Sequence, residues 1–298
     1  QIPFHSRWGH FRVGDLDREA QLNQLLANVD PIEKARAKFD LVIPSVLLDA
    51  GAGPDWKFTE KQTQKSFSRS EGLGVASYYL FLSGKMNGTN SSHPYQVHAQ
   101  GLKNISAADI AEAFQVSDSG AHANPLIGVD GRAQLLRNLG QAVSSSPVFP
   151  GGRPGNMVDY LRGKFGKNIP AVGLLRAVLD GLGSIWPGRI VMSGVNLGDV
   201  WTHSRLEKTD AEHALIPFHK LSQWMTYSLM EPLIEAGFDI DGVEKLTGLA
   251  EYRNGGFILD FGLITAKNPE HLNMSWKPND DFVIEWRTLT ICFLDKLA

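Results

Sequence analysis

Signals for starting and stopping helices recur along the whole chain, and they constrain the fold more than any other feature. Leu16, Leu22, Leu25, Leu26 and Val29 follow helical spacing, and Asp30-Pro31 opens a second helix with the proline in its first turn. Together these make residues 16–50 helical. The second helix runs into the apolar stretch Leu41–Leu48 and stops at the glycine-rich turn Asp49–Pro54. A further helix is expected over Ser66–Ser83, followed by a polar loop over Gly84–Gln100. Ser106-Ala107-Ala108-Asp109 is a capping box with aspartate at its last position, so a helix runs from there to about Phe114. Gly131–Val143 is amphipathic. Ser144–Gly155, with three prolines and three glycines, is the longest expected flexible segment, a loop or a weak internal boundary near 144–156. Met157–Leu182 gives two short helices broken at Asn168-Ile169-Pro170. Ile185–Trp201 is mixed.

From Pro217 a long helix is expected. It presents Leu221, Trp224, Met225, Ser228 and Leu229 on one face, kinks at Pro232 and ends at Gly237. Asp281–Trp286 reads as a short strand before a final helix. The expected fold is therefore mainly α, with a few short strands, in a single domain over 1–298.

With 298 residues, 43% hydrophobic and 20% charged, the chain can bury a sizeable core. A net charge of -3 leaves no basic footprint for nucleic acid or for an acidic membrane surface. No apolar run approaches the ~18 residues of a membrane span. The single cysteine, Cys292, sits in an apolar run and reads as a buried core thiol. One cysteine permits no intrachain disulfide, so a reducing cytoplasm is the expected compartment. No leader sequence is visible, and four Asn-x-Ser/Thr sequons, at Asn87, Asn90, Asn104 and Asn273, read as chance. The start at Gln1, running directly into Ile2-Pro3-Phe4-His5-Ser6-Arg7-Trp8, points to an upstream segment.

Several motifs are excluded by their spacing. Gly51-Ala52-Gly53 is a tight turn, without the strand–turn–helix context of a dinucleotide fingerprint. His5 with His10, and His213 with His219, do not have the spacing of paired helical metal ligands, so no metal and no cofactor are expected. There is no Gly-x-Ser-x-Gly elbow. Asp49, an acid closing an apolar run, calls for a buried partner. Asp199, between a glycine turn and Trp201, suits a helix cap and a ribose-binding carboxylate about equally. Lys220 stands among Phe218, Leu221 and Trp224, and Glu251 follows about thirty positions later in Gly248–Gly256. Such an ammonium facing such a carboxylate can stabilise a sugar-like cation. The plainer readings are a solvated lysine and a Glu251–Arg253 salt bridge.

The segments Ile2–Trp8, Ser45–Gly53, Ser68–Gly72, Asn196–Trp201, Pro217–Trp224 and Leu246–Gly256 together resemble the uracil-catabolism family of the URC pathway, long labelled a domain of unknown function. The resemblance spans essentially the whole chain, and its members usually carry a further N-terminal segment. It implies a role in breaking uracil down to urea, at the hydrolysis of ribosylurea. More distantly, Phe218-His219-Lys220-Leu221-Ser222-Gln223, Glu251-Tyr252-Arg253 and Glu285-Trp286-Arg287 are similar to stretches of the queuosine-salvage N-ribosylhydrolases. Those enzymes have a helical fold like that of helix-hairpin-helix DNA glycosylases. Their aspartate is replaced here by Glu251, and Asn254-Gly255-Gly256 stands where they have Val-Pro-Gln. The residues alone read Asn254-Gly255-Gly256 as a turn, whereas the resemblance implies a helix start there.

What the resemblance implies is an N-ribosylhydrolase acting on a small ribosylurea-like substrate, with or without a 5'-phosphate. Glu251 would stabilise the oxocarbenium-like transition state or activate water, and Lys220 would position Glu251 or the leaving group. Asp49 and Asp199 would hold ribose hydroxyls or urea nitrogens. Arg253 or Arg69 would meet a phosphate, Trp201 and Trp224 would wall the pocket, and His219 would serve as a donor. Gln223, Tyr252 and Glu71 complete the expected substrate contacts. The alternatives are an amidohydrolase cutting the ureido bond on its carbonyl side, and a ligand-binding or assembly protein of pyrimidine degradation without turnover.

Overall fold

The structure is a computed structural model that describes residues 5–88, 93–117, 119–120, 123–186, 190–206 and 214–297. Ile2–Phe4, the sequon at Asn90 and His213 lie outside them. Along the chain run α1 (Trp8–Phe11), α2 (Arg18–Leu25), α3 (Pro31–Leu47), the hairpin β1 (Phe58–Thr59) and β2 (Ser66–Phe67), then α4 (Arg69–Leu82). They are followed by α5 (Ala99–Asn104), α6 (Ala107–Ala113), α7 (Val129–Ser145), α8 (Met157–Phe165), β3 (Asn168–Pro170) and α9 (Ala171–Leu182). Two small hairpins come next, β4 (Val191–Met192) with β5 (Val195–Asn196), and β6 (Val200–Thr202) with β7 (Leu215–Pro217). The chain continues with α10 (Lys220–Glu235), β8 (Asp239–Asp241), α11 (Tyr252–Asp260) and α12 (Asp281–Leu297). The protein is mainly helical. All its sheets among the described residues are two-stranded, and only β3 with β8 is parallel. No helix among the described residues is long and apolar enough to cross a membrane.

The chain divides into a larger unit, Gln1–Ile185 with Trp224–Val243, and a smaller one, Trp186–Gln223 with Glu244–Ala298. The segment 144–156 lies inside the larger unit. It forms two single 3-10 turns that Asp40 fastens, accepting from Arg153 Nε and from the Gly155 amide, both at 2.7 Å. Asp40 is fully buried on α3. Burial pushes its carboxyl up to about 6 against the pull of Arg153 and the Gly155 amide.

α3 is the spine of the larger unit. Asp30 caps it by accepting from the amides of Ile32 and Glu33, Pro31 occupies its first turn, and it continues through Pro44 to Leu47. A second buried ion pair, Arg18–Glu60 at 2.8 Å, ties α2 to the β1–β2 turn, and the Tyr79 hydroxyl donates to the same carboxylate at 2.7 Å. With the charges paired and Arg18 Nη1 donating to the carbonyls of Phe11, Val13 and Leu16, such a pair is tolerated in a core that would reject either charge alone.

Three expected elements are corrected. Ser66 and Phe67 belong to a hairpin rather than to α4: they pair with Phe58 and Thr59, and the Ser66 and Thr59 hydroxyls meet at 2.9 Å. The helix expected from Pro217 begins only at Lys220, because the carbonyl of Asp199 accepts the amides of Phe218 and His219 and His219 takes φ 47°. Asp281–Trp286 is the start of α12, not a strand. Val283, Ile284, Arg287 and Thr290 are its buried residues, at helical spacing. Cys292 is correspondingly not a core thiol but exposed on that helix. The capping box at Ser106–Asp109, the helix break at Asn168–Pro170 and the stop at Gly237 are as the sequence predicts.

Close packing at Gly155 is testable. A Cβ there would lie 2.4 Å from the carbonyl oxygen of Arg36, whereas a Cβ at Gly163 in α8 meets nothing within 4 Å. Gly155→Ala is expected to cost about 1–3 kcal/mol in urea unfolding. Gly163→Ala should stabilise by up to about 1 kcal/mol, the helix-propensity difference.

Candidate functional site

Eight of the twelve residues expected at a site fall in the smaller unit, and the geometry there begins at Asp199. Its carboxylate accepts from Trp201 Nε1 at 2.7 Å, from the Lys220 amide at 3.2 Å, and from both ends of the Arg287 guanidinium at 3.0 and 2.8 Å. The centre of that guanidinium lies 4.0 Å from the centre of the Phe218 ring. Burial opposes the charge on Asp199, but these donors outweigh it and hold the carboxyl below its ordinary 3.8. Both readings of Asp199 in the sequence are thereby weighed: it caps the start of α10, and its oxygens are already engaged by protein donors.

Trp201 joins Phe218, Ala250 and Ile284 in the small hydrophobic core of this unit, with its indole N–H on Asp199. It is a core residue held by a polar tip. His219 is half-buried, and burial lowers its imidazole below the ordinary 6.5 although Asp199 pulls the other way.

This clamp sets the first turn of α10 and so the stem of Lys220. The Lys220 ammonium meets Glu251 Oε2 in a close ion pair. Both side chains keep about a third of their surface exposed, 31% and 36%, so a ligand can reach the pair.

Glu251 is itself the cap of α11. Its backbone is extended, its carbonyl accepts from Gly255, and its other oxygen, Oε1, accepts from the Tyr252 amide at 3.1 Å. The loop before it is braced by Gln223, which accepts from the Thr247 amide at 3.0 Å and donates to the Thr247 hydroxyl at 2.7 Å. Gly248 donates to Asp295 at 2.7 Å. Asn254-Gly255-Gly256 lies inside α11, as the resemblance implies and contrary to the turn read from the residues alone. A Cβ on Gly255 would come within 2.6 Å of Trp286 Nε1, so glycine is what lets α11 lie directly on α12. Tyr252 leans on Trp286 at 5.5 Å between ring centroids and is otherwise exposed, as is Arg253. The plainer alternative, a Glu251–Arg253 bridge, is absent among the described residues, and Glu251 pairs with Lys220 instead.

The remaining four candidates belong to the larger unit. Asp49 has the buried partner its position demands, Arg7, at 3.2 Å. Arg7 is wholly buried, donates to the Ser45 hydroxyl at 2.7 Å, and lies 5.6 Å from the ring centre of Trp224. Trp224 is also flanked by His5 and His10. Burial first, and Arg7 next, lower the His10 imidazole to about 4, so it is neutral at pH 7. Glu71 is half-buried within the electrostatic reach of Arg7 and His10, while Arg69 is exposed, with φ 52° at the start of α4.

Two structural keystones escape sequence reasoning. Arg287 lies 88 positions from Asp199, just past the segment read as a strand and singled out only by resemblance, and Arg7 has no spacing signal at all.

Thus the chain combines a mainly helical architecture with a partly exposed, ion-paired carboxylate held at a helix start. The chain belongs to the family described as "Protein of unknown function (DUF1688)", which matches residues 1–298. It is 40% identical to "Uracil catabolism protein 4" of Lachancea kluyveri over 328 aligned positions, covering 99% of this chain and 74% of that protein. It is 38% identical to "Protein urg3" of Schizosaccharomyces pombe over 301 positions, covering 99% of this chain and 71% of that protein.

The Asp199 clamp has a pH signature. A carboxylate whose folded value is depressed stabilises the fold above its unfolded value and loses that contribution as pH falls through the folded one. The smaller unit should therefore lose stability as pH drops below about 4. Asp199→Asn, which leaves Arg287 without its counter-charge, is expected to cost about 3 kcal/mol at pH 7 and to flatten the acid limb. Denaturant unfolding across pH 3–7 measures both.

Proposed function

We propose that this protein acts in uracil catabolism as an N-ribosylhydrolase, cleaving the N-glycosidic bond of ribosylurea or its 5'-phosphate and releasing urea. The observation that carries this reading is the accessible Lys220–Glu251 pair at the start of α11. Membership in a family whose relatives include a protein named for uracil catabolism sets the pathway.

In the proposed reaction the bond from the anomeric carbon to the urea nitrogen breaks, and its electron pair leaves with urea. The sugar passes through an oxocarbenium-like state, which the Glu251 carboxylate stabilises through space. Water then bonds to the anomeric carbon on the side of Glu251, which takes its proton. The departing nitrogen takes a proton from solvent and Glu251 later releases its own to solvent, so the products are urea and the free sugar or its 5'-phosphate. Lys220 keeps Glu251 aligned through Oε2, and Oε1 stays on the Tyr252 amide. Asp199 and Gln223 position this pair from behind, through the Lys220 amide and Thr247 respectively. A helical arrangement of the helix-hairpin-helix glycosylase kind and a cytoplasmic setting are parts of the same proposal.

Urea release from ribosylurea tests it. Glu251→Gln preserves size and leaves an oxygen for the Tyr252 amide, so turnover should fall about 10²–10⁴-fold while the fold persists. Lys220→Met should lower kcat less, since it removes only the group that aligns Glu251. Undiminished turnover in Glu251→Gln, or ammonia in place of urea as the nitrogen product, overturns the proposal.

A further inference from the structure

The outer face of α11 exposes more apolar surface than a solvent-facing helix needs. Tyr252, Phe257 and Phe261 are 52%, 54% and 70% exposed, and the Phe257 and Phe261 rings lie 4.4 Å apart. The same stretch of the smaller unit also exposes Leu263, Leu272 and Met274. Scattered exposed apolar side chains are ordinary, but a run of them confined to one segment marks an interaction surface.

The charges on this face say what covers it. Arg253 and Asp260 are both exposed, and neither has an ion partner among the described residues. They stand seven residues apart, two helical turns, so they share the midline of the exposed face, ~10 Å from one another. Gly256 and Phe257 lie between them, and a Cβ on Gly256 would meet nothing within 4 Å.

This pattern complements itself when reversed. A second α11 laid antiparallel, with the two-fold axis passing between positions 256 and 257, places Arg253 of each copy opposite Asp260 of the other. The same axis sets Phe257 against its counterpart on one side. On the other it sets Gly256 against Gly256, where the absent side chains allow the helices to approach. In a two-fold interface residue i meets j and j meets i, so a single Arg–Asp pairing on one helix produces two ion pairs.

We propose that the exposed face of α11 is a homodimer interface, formed by antiparallel packing of α11 against a second copy of this chain. The interface stands independently of the reaction proposed above. Glu251 caps the same helix, so each half of the interface adjoins a Lys220–Glu251 pair.

Sedimentation equilibrium with charge reversals tests this. The wild-type chain is expected to be a dimer. Arg253→Asp or Asp260→Arg alone turns both pairs into like-charge contacts and should weaken dimerisation about tenfold or more. The double variant Arg253→Asp/Asp260→Arg restores both pairs and should return the dimer. Because all these side chains are exposed, unchanged far-UV circular dichroism spectra are expected throughout, showing that each variant is folded. In a Cys292→Ser background, Phe257→Cys should oxidise to a disulfide-linked dimer, since Phe257 lies beside the two-fold axis. Any one of three results overturns the proposal: a wild-type monomer at the highest soluble concentration, a dimer indifferent to the single reversals, or a double variant that stays monomeric.

Discussion

The smaller unit depends on the carboxylate of Asp199. One side chain receives the indole of the β6 tryptophan, the amide that begins α10 and the full fork of an arginine from α12. Remove it and three elements lose a common anchor, while Arg287 remains as a nearly buried, unbalanced cation against Phe218. The apolar cluster beside it is small, Trp201, Phe218, Ala250 and Ile284 with two half-buried neighbours. With so little hydrophobic burial available, polar ties of fixed geometry do much of the specifying. The position of the Lys220–Glu251 pair follows from that anchor rather than from the pair's own attraction, which is modest for groups a third exposed.

The larger unit solves the same problem in a different way. Its core is extensive, and it encloses charges as matched sets: Asp40 with Arg153, Arg18 with Glu60, and Arg7 with Asp49. Each set joins segments far apart in the chain. Matched buried charges add little net stability over apolar substitutes, but they exclude alternative packings in which either partner would be stranded.

Local signals in the sequence located most helices, because caps and breakers act within a few residues. Asp30-Pro31, Ser106–Asp109 and Asn168–Pro170 are read directly, and each does locally what its chemistry requires. The misreadings share a cause, which is that a distant partner decides. Phe218 and His219 are kept out of α10 by a carbonyl about twenty positions upstream, and Phe67 is taken by a strand partner. The early part of α12 has a β-like composition, yet its buried residues follow a helical period. The site was legible only in part. Lys220 and Glu251 were picked out together, and the structure brings them into contact. The braces behind them were legible only in part: Asp199 read equally as a helix cap and as a ligand contact, and Gln223 as a ligand contact, because a sequence shows the polar group but not what already satisfies it.

Gln223 illustrates what that arrangement entails. Its amide presents oxygen to the Thr247 amide and nitrogen to the Thr247 hydroxyl and the Phe218 carbonyl. A carboxylate of the same shape could not serve, since it would set one lone pair against another at Phe218. The loop that carries Glu251 is therefore steered by a side chain with no titrating proton and no net charge. The two halves of the pair are thus mounted by different physics: a neutral amide braces the loop before Glu251, while an ionic clamp between Asp199 and Arg287 fixes the helix start that carries Lys220.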